Sequence, residues 1–236
     1  MLGVERGTLF LMKTALATLV LSLSLPSLAF PQDAAGDEKD PAFLNRRGTE
    51  HFFAGRIVES LADWDLVVKL VPQRAPHHWQ RGISLYYAGR YEDGVAQFET
   101  HQTVNPQDVE NAVWHFLCAV RAKGGSVKLA REKYIPITRD TRVPMKEIHA
   151  LFAGTGSPEA VLAAANADQT DPARLRNHLC YAHLYLGLYY EALGKTKESA
   201  EHMEKAAVDF KMDHYMGKVA QVHHKVRRKG KAEDSE

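Results

Sequence analysis

Apolar residues recur at helical spacing along most of the chain. A segment that ends before Pro72 carries them every three or four positions, at Leu61, Trp64, Val67, Val68 and Val71. These positions share one side of a helix, and proline stops the helix because it lacks a backbone N–H. Aspartate followed by proline, as in Asp40-Pro41 and Asp171-Pro172, is typical of a helix start. The pattern predicts an all-α protein of about ten or eleven helices.

Turn and core residues of the N-terminal part repeat after 34 residues. The first set recurs, member by member, as the second: Gly48, Gly55-Arg56, Trp64 and Pro72, then Gly82, Gly89-Arg90, Phe98 and Pro106. A glycine before each arginine suits a tight turn between two helices. We therefore expect consecutive antiparallel helix pairs in one domain over residues 40–228, beginning with a helix from Pro41 to about Ala54.

The middle of the chain keeps the helical pattern but departs from the repeat. Residues 109–180 match the earlier units only in helical character, and residues 135–143 are predicted to form a loop. Gly154-Thr155-Gly156 lacks the preceding strand of a dinucleotide-binding loop, so we interpret it as a helix end before the N-cap Ser157. The last helix, from about Met212 to Arg228, is amphipathic, as expected of a cap at the end of a repeat array.

The 34-residue pattern resembles the tetratricopeptide repeat (TPR) family over Pro41–Pro106 and Tyr181–Asp213. The string RGISLYYAGRYEDGVAQFE is also similar to repeats of exported bacterial TPR lipoproteins that act as adaptors, although the lipidation cysteine is missing here. The resemblance implies a right-handed superhelix of antiparallel helix pairs, an α-solenoid, without catalytic activity. It also implies that a protein or peptide partner binds in the concave groove formed by the first helix of each pair.

The groove positions implied by the resemblance are mostly aromatic or aliphatic. They are Asn45, Thr49, Phe52, Phe53, Trp79, Ile83, Tyr86, Tyr87, Val113, Trp114, Leu117 and Arg121. Such a surface favours apolar anchors over the basic clamp with which some TPR domains hold a carboxylate. The alternative for each residue is packing against the neighbouring helix pair. We expect Trp79 and Tyr87 to be exposed.

Residues 1–29 have the layout of a secretory signal peptide. Met12-Lys13 begins a basic start, residues 15–25 are apolar or carry hydroxyl groups, and Ser27-Leu28-Ala29 supplies small residues for cleavage. Residues 30–39 are predicted to be a disordered leader and residues 229–236 a disordered charged tail. We expect an exported bacterial protein, periplasmic or secreted, that meets the membrane only transiently through this peptide. The alternative is an uncleaved membrane anchor, and both Met1 and Met12 are possible starts.

The charge balance gives no reason to expect nucleic acid as a partner, because the 30 basic and 29 acidic residues leave a net charge of +1. A local basic cluster near the C-terminus is interpreted as a solvated tail or a docking patch for an acidic partner. It comprises Lys225, Arg227, Arg228, Lys229 and Lys231. The thiols of Cys118 and Cys180 lie in apolar helical segments, so we favour two buried thiols over a disulfide.

Twelve histidines raise the alternative of a metal- or cofactor-handling helical protein. The adjacent pairs His77-His78 and His223-His224 diverge on a helix, however, so no metal site and no cofactor are predicted. No nucleophile motif is present, and Asp63 and Asp65 suit an exposed helix face better than acid–base catalysis. The prediction is a non-catalytic scaffold or adaptor of the cell envelope. A homodimer formed through the middle or last helix is possible.

Overall fold

The computed structural model describes residues 39–233, with side chains as far as residue 228. This part of the chain folds into helices without strands, which confirms the all-α prediction. Its α-helices are α1 (Pro41–Phe53), α2 (Ile57–Leu70), α3 (Trp79–Tyr87), α4 (Tyr91–Gln102), α5 (Val109–Arg121), α6 (Val127–Glu132), α7 (Met145–Ala153), α8 (Pro158–Ala165), α9 (Pro172–Ala192), α10 (Thr196–Glu204) and α11 (Tyr215–Glu233). A 3₁₀ helix covers Pro72–His77 and a π-helical segment covers Lys205–Asp209.

The predicted termini fall largely outside this description. The signal peptide (residues 1–29) and nearly all of the leader (residues 30–39) lie outside the described residues. Helix α11 continues to Glu233, into the segment 229–236 that the sequence predicts to be a charged tail. Among the described helices, none is both long enough and apolar enough to span a membrane.

Helix starts follow the predicted capping residues. The carboxylate of Asp40 accepts hydrogen bonds from the backbone N–H groups of Ala42 and Phe43, and Asp171 caps α9 in the same way. These bonds satisfy N–H donors that have no partner within the first turn. Ser157 caps α8, and Gly154 ends α7 with a φ of 86°, so the predicted helix end and N-cap are both confirmed.

The first two helix pairs share the same internal contact. A Cβ added to Gly48 would lie 2.6 Å from Nε1 of Trp64, and a Cβ added to Gly82 would lie 2.6 Å from Cζ of Phe98. Glycine is therefore required at these two positions, because the aromatic ring of the second helix of each pair lies directly against the backbone of the first. The turn of the first pair places Gly55 at a φ of 76°, a backbone conformation that glycine adopts without steric cost.

A polar contact also repeats between the helices of these pairs. Arg47 Nη2 lies 2.6 Å from Asp63 Oδ1, and 34 positions later Arg81 Nη1 donates to Gln97 Oε1 at 2.9 Å. Asp63 is only 6% exposed, so the expectation that it lies on an exposed face was wrong. The arginine pairing makes its burial possible, since a buried carboxylate needs a partner.

The start of the second unit differs from that of the first. Residues Pro72–His77 form a 3₁₀ helix, and α3 begins only at Trp79. Pro72 and Pro76 have no N–H to donate, so a regular α-helix over this segment would lose hydrogen bonds. Both thiols are buried and free, which confirms the favoured interpretation of Cys118 and Cys180.

The helices join one continuous apolar core. Successive pairs pack through α2 against α3 and α4 against α5, and α5 then contacts both α7 and α9. Helix α11 packs on α9 and on the π-helical segment and also reaches α1. Helix α11 therefore packs against the last helix pair and also against α1, at the opposite end of the described chain.

Candidate functional site

The face predicted to bind a partner is covered by α11. The rings of Phe53 and Trp79 lie 5.1 and 4.7 Å from the ring of Tyr215, at the start of α11. Further along the helix, the hydroxyl of Tyr87 lies 3.0 Å from Nδ1 of His223. Lys225 Nζ donates to the carbonyl oxygen of Ala54 at 2.8 Å. In this conformation, an amphipathic helix of the same chain covers Phe53, Trp79 and Tyr87, and we call the surface formed by these three residues the inner face.

The predicted groove residues fall into two groups. Those that are at most 1% exposed are Phe52, Ile83, Tyr86, Val113, Trp114 and Leu117. The second group has partly or fully exposed members, namely Asn45, Thr49, Phe53, Trp79, Tyr87 and Arg121. Trp79 and Tyr87 are half-buried through their contacts with α11 rather than freely exposed. The partner-binding role of all these residues stays a prediction, and full access of a partner to Phe53, Trp79 and Tyr87 needs α11 to move.

A polar group, which we call the Glu191 cluster, lies where α5, α9 and α11 meet. It consists of Arg121, Glu191, His223 and Arg227. Glu191 Oε1 lies 2.7 Å from Arg227 Nη2 and 3.2 Å from Arg121 Nη2, and Oε2 lies 3.4 Å from His223 Nε2. The carboxylate is largely buried and carries opposite charge to two guanidinium groups, so it holds α5 and α11 to α9.

His223 is neutral in this arrangement. Burial, as the main cause, lowers the pKa of His223 to about 4, although the Glu191 carboxylate acts in the opposite direction. Because a carboxylate only accepts hydrogen bonds, the proton belongs on Nε2, which faces Glu191, and Nδ1 accepts from the Tyr87 hydroxyl. A hydrogen bond between Tyr87 and His223 thus joins α3 to α11, and the contacts of Glu191 with His223 and Arg227 join α11 to α9.

A cavity of about 240 Å³ lies beside this closed face. Its walls come from α3, α4, α5, the loop before α7 and the start of α11. The lining includes the side chains of Trp79, Glu110, Asn111, Trp114, Arg142 and Tyr215. Arg142 and His214 are exposed, so the cavity reaches the surface.

The polar wall of the cavity belongs to a second charged group, the Glu110 cluster, which consists of Asp108, Glu110, Asp140 and Arg142. Arg142 Nη1 donates to Glu110 Oε1 at 2.6 Å. Its Nη2 lies 2.7 Å from Asp108 Oδ1 and 2.6 Å from Asp140 Oδ2. Asp108 also caps α5 through the N–H of Glu110, and Asp140 accepts from the N–H of Val109. Three carboxylates thus converge on one guanidinium.

Glu110 has an unusual protonation equilibrium. Burial raises the pKa of Glu110 to about 7, and the neighbouring Asp108 and Asp140 carboxylates add to this, while Arg142 opposes it. The side chain is 13% exposed, so water screens its charge poorly. Asp140 behaves in the opposite way, because hydrogen bonds from Arg142 and the Val109 N–H lower its pKa despite desolvation.

The histidines do not gather into a metal centre in the described part of the chain. No group of three His, Cys, Asp or Glu side chains there is arranged to hold a metal ion. His183 and His202 are paired instead, with their Nδ1 atoms 2.8 Å apart. Burial is the main cause that lowers the pKa of His183 to about 4, so this pair shares a hydrogen bond without both rings being charged.

Sequence reasoning did not identify either charged cluster. Arg227 was assigned to a basic C-terminal cluster, and Glu191 and Glu110 were not singled out. A signal existed for Glu191, because it is a carboxylate at the end of the strongly apolar run LYLGLYYEA. A buried charge in such a run needs a partner, although its sequence neighbours do not show which one.

A scan of the chain against models of protein families finds no match.

Proposed function

We propose that this protein is a non-catalytic scaffold that binds a helical segment of a partner protein through TPR-like repeats arranged as a right-handed superhelix. Support comes from the repeated contact of glycine against an aromatic ring in the first two helix pairs, at Gly48–Trp64 and Gly82–Phe98. The 34-residue interval between these contacts is the TPR period. Repeat arrays of this kind offer an extended inner surface to partners.

The observation that carries the proposal is that α11 packs on the inner face, at a position that we call the seat of α11. Phe53, Trp79 and Tyr87 already accept one amphipathic helix, through ring contacts with Tyr215 and a hydrogen bond to His223. Binding of a helix in a groove uses the same kind of apolar anchors at helical spacing. We propose that the partner presents a similar helix and takes the place of α11.

The envelope of a bacterial cell is the proposed location. The apolar segment 15–25 and the small residues of Ser27-Leu28-Ala29 support export, and the similarity to repeats of exported adaptors points the same way. A role as an adaptor fits a protein whose inner face carries aromatic side chains such as Phe53, Trp79 and Tyr87.

A photo-crosslinking experiment tests this proposal. A photoreactive phenylalanine derivative replaces Trp79 on the inner face, or Val58, which is 74% exposed on α2, as the matched control. Both are combined with Arg227→Glu, which replaces the ion pair of Arg227 with Glu191 by two like charges and so weakens the attachment of α11. We expect the photoreactive derivative at position 79 to crosslink one partner in cells, and we expect a higher yield of the crosslinked product in the Arg227→Glu background. Equal crosslinking from Val58, or a yield that Arg227→Glu leaves unchanged, would contradict the proposal.

A synthetic peptide that covers residues 212–228 gives an independent readout. If the inner face accepts a helix from another molecule, the peptide binds the Arg227→Glu protein and competes with the crosslinked partner. A peptide of the same composition in scrambled order is the control, because it keeps the charge but loses the apolar stripe. Equal competition by both peptides would show that charge alone, rather than the inner face, attracts the partner.

A further inference from the structure

The cavity beside α11 has the size of a side chain or a small metabolite. Its volume of about 240 Å³ is below the range usual for drug-sized ligands, and it would hold several water molecules. Its walls come from parts of the chain as distant as α3 and the start of α11. An occupant would therefore be small and would touch both polar and aromatic side chains.

The charge on the wall is unbalanced. Within the Glu110 cluster, one guanidinium faces three carboxylates, which gives a formal charge of −2 when all of them are ionised. The raised pKa of Glu110 reflects burial together with this imbalance. A positively charged occupant would supply the missing charge, because an opposite charge nearby favours the ionised carboxylate.

Arg142 does not offer its charge to an anion. Its Nη1, Nη2 and Nε atoms donate to Glu110, Asp108 and Asp140 at 2.6 to 3.0 Å. An anionic ligand would have to displace one of these carboxylates and would be repelled by the others. The cluster is consequently selective against acidic ligands.

A buried amide oxygen in the wall has no partner. Asn111 is 3% exposed, and its Nδ2 donates to the carbonyl oxygen of Phe98 at 3.2 Å and to Gln102 Oε1 at 2.9 Å. These two bonds fix the amide so that Oδ1 is left as an acceptor, and Oδ1 accepts no hydrogen bond from the protein. Such a group calls for a donor, since an unsatisfied buried acceptor costs free energy.

Aromatic rings complete the cavity. Trp79 and Tyr215 meet edge to face with their ring centroids 4.7 Å apart, and Trp114 lies in the adjacent wall. The faces of tryptophan and tyrosine rings attract organic cations, tryptophan most strongly. Carboxylates, a free carbonyl acceptor and aromatic rings are the groups that bind an alkylammonium or guanidinium ion.

We propose that this cavity binds an organic cation, an alkylammonium or guanidinium group, in contact with Glu110, Asn111 and the rings of Trp79 and Tyr215. The group is carried either by a free amine, such as a polyamine, or by a lysine or arginine side chain of a peptide. The site shares Trp79 and Tyr215 with the seat of α11, because the start of α11 forms one of its walls.

Calorimetric titration and tryptophan fluorescence test the proposal with simple probes. The purified protein is titrated with n-butylammonium, with neutral n-butanol and with butyrate. Only the cation is expected to bind saturably to one site and to change the emission of Trp79 and Trp114. Spermidine is then compared with N-acetyl-lysine methylamide and N-acetyl-arginine methylamide. Tighter binding of spermidine assigns the site to a free amine, whereas tighter binding of an amino acid derivative assigns it to a partner side chain.

Variants locate the site. Glu110→Gln keeps an acceptor for Arg142 but removes the charge, so we expect the affinity for n-butylammonium at pH 8 to fall about tenfold. Trp79→Leu should weaken binding about threefold through loss of the ring. Glu132→Gln, at an exposed carboxylate of α6, is the matched control and should leave the affinity unchanged.

Three results would overturn the proposal. One is equal binding of n-butylammonium and n-butanol, which would show a cavity that does not distinguish charge. The second is an unchanged affinity in Glu110→Gln that has the circular dichroism spectrum of the parent protein. The third is the absence of any saturable signal with all cationic probes.

Discussion

Two groups of carboxylates and arginines differ in their charge balance and in the space around them. In the Glu191 cluster, one carboxylate faces Arg121 and Arg227, and α11 fills the space beside it. In the Glu110 cluster, three carboxylates face Arg142, and a cavity of about 240 Å³ remains. The first joins helices together, whereas the second keeps a carboxylate with a raised pKa next to open space.

This difference predicts different roles for the same residue types in the two clusters. A carboxylate that is outnumbered by cations is already stabilised, so its removal should mainly destabilise the fold. A carboxylate that is outnumbered by other carboxylates is destabilised, so its removal should help the fold and harm binding. Four substitutions separate these two cases.

The largest effect is expected for Glu191→Ala. It leaves Arg121, Arg227 and His223 without their common acceptor and removes the link between α9 and α11. Breaking a buried ion pair typically costs 3–5 kcal/mol, but the guanidinium groups are 35% and 39% exposed, so we expect a loss of about 2–3 kcal/mol. Urea unfolding monitored by circular dichroism measures this loss. Glu132→Ala is the control, and an equal loss there would remove the special role of Glu191.

Arg142→Met comes next, with an expected loss of about 2 kcal/mol at pH 8. The substitution keeps the apolar part of the side chain but leaves Asp108, Glu110 and Asp140 facing one another. The loss should shrink as the pH falls, because protonation of Glu110 removes part of the repulsion. Thermal unfolding at pH 8 and pH 5 compares the two conditions. A loss that does not change with pH would mean that packing, not charge, accounts for the contribution of Arg142.

Glu110→Gln should act in the opposite direction and stabilise the protein. The pKa of Glu110 is raised from 4.5 to about 7 on folding, so its contribution to stability is present below pH 4.5 and is lost as the pH rises to 7. The glutamine variant does not suffer this loss. We expect it to be more stable than the parent on the order of 1 kcal/mol at pH 8 and nearly equal at pH 4.

Several polar and ionisable groups surround Glu110. Asp108, Asp140 and Arg142 belong to the same cluster as Glu110. Tyr185 of α9 interacts with the Glu110 side chain, and His101 and His214 line the same cavity. The same groups are present in the parent and in the variant, so the two free energies of unfolding are compared at each pH. A variant that is less stable at pH 8 than the parent would contradict the charge imbalance.

Tyr87→Phe should have the smallest effect, a loss of less than about 1 kcal/mol. It removes the hydroxyl that donates to Nδ1 of His223 and keeps the ring against Trp114. Hydrogen exchange of the backbone amides of α11 should speed up, because the substitution weakens only the attachment of that helix. Faster exchange spread evenly over α1 to α4 would instead indicate general destabilisation.

The local features of the fold were predictable, and the long-range pairings were not. Asp40, Ser157 and Gly154 act at the helix ends where the sequence places them, because caps and turns depend on neighbouring residues. The loop of residues 135–143 was also expected, but not its use as a cavity wall through Arg142.

The candidate sites depend on contacts that periodicity cannot reveal. Arg121 pairs with Glu191 across 70 positions, and Tyr87 meets His223 across 136 positions. The amphipathic pattern of α11 indicates that one side of the helix is buried. It does not show whether that side packs on the last helix pair or on the inner face. Only the folded arrangement shows that α11 also reaches α1.

The return of α11 to α1 also bears on how the chain folds. In an open repeat array each unit touches its neighbours alone, so folding can begin anywhere and spread. Here Lys225 bonds to Ala54 across 171 positions, and contacts between such distant residues slow folding because a long loop must close first. Helix α1 therefore gains its contacts with α11 only after the C-terminal segment has been synthesised.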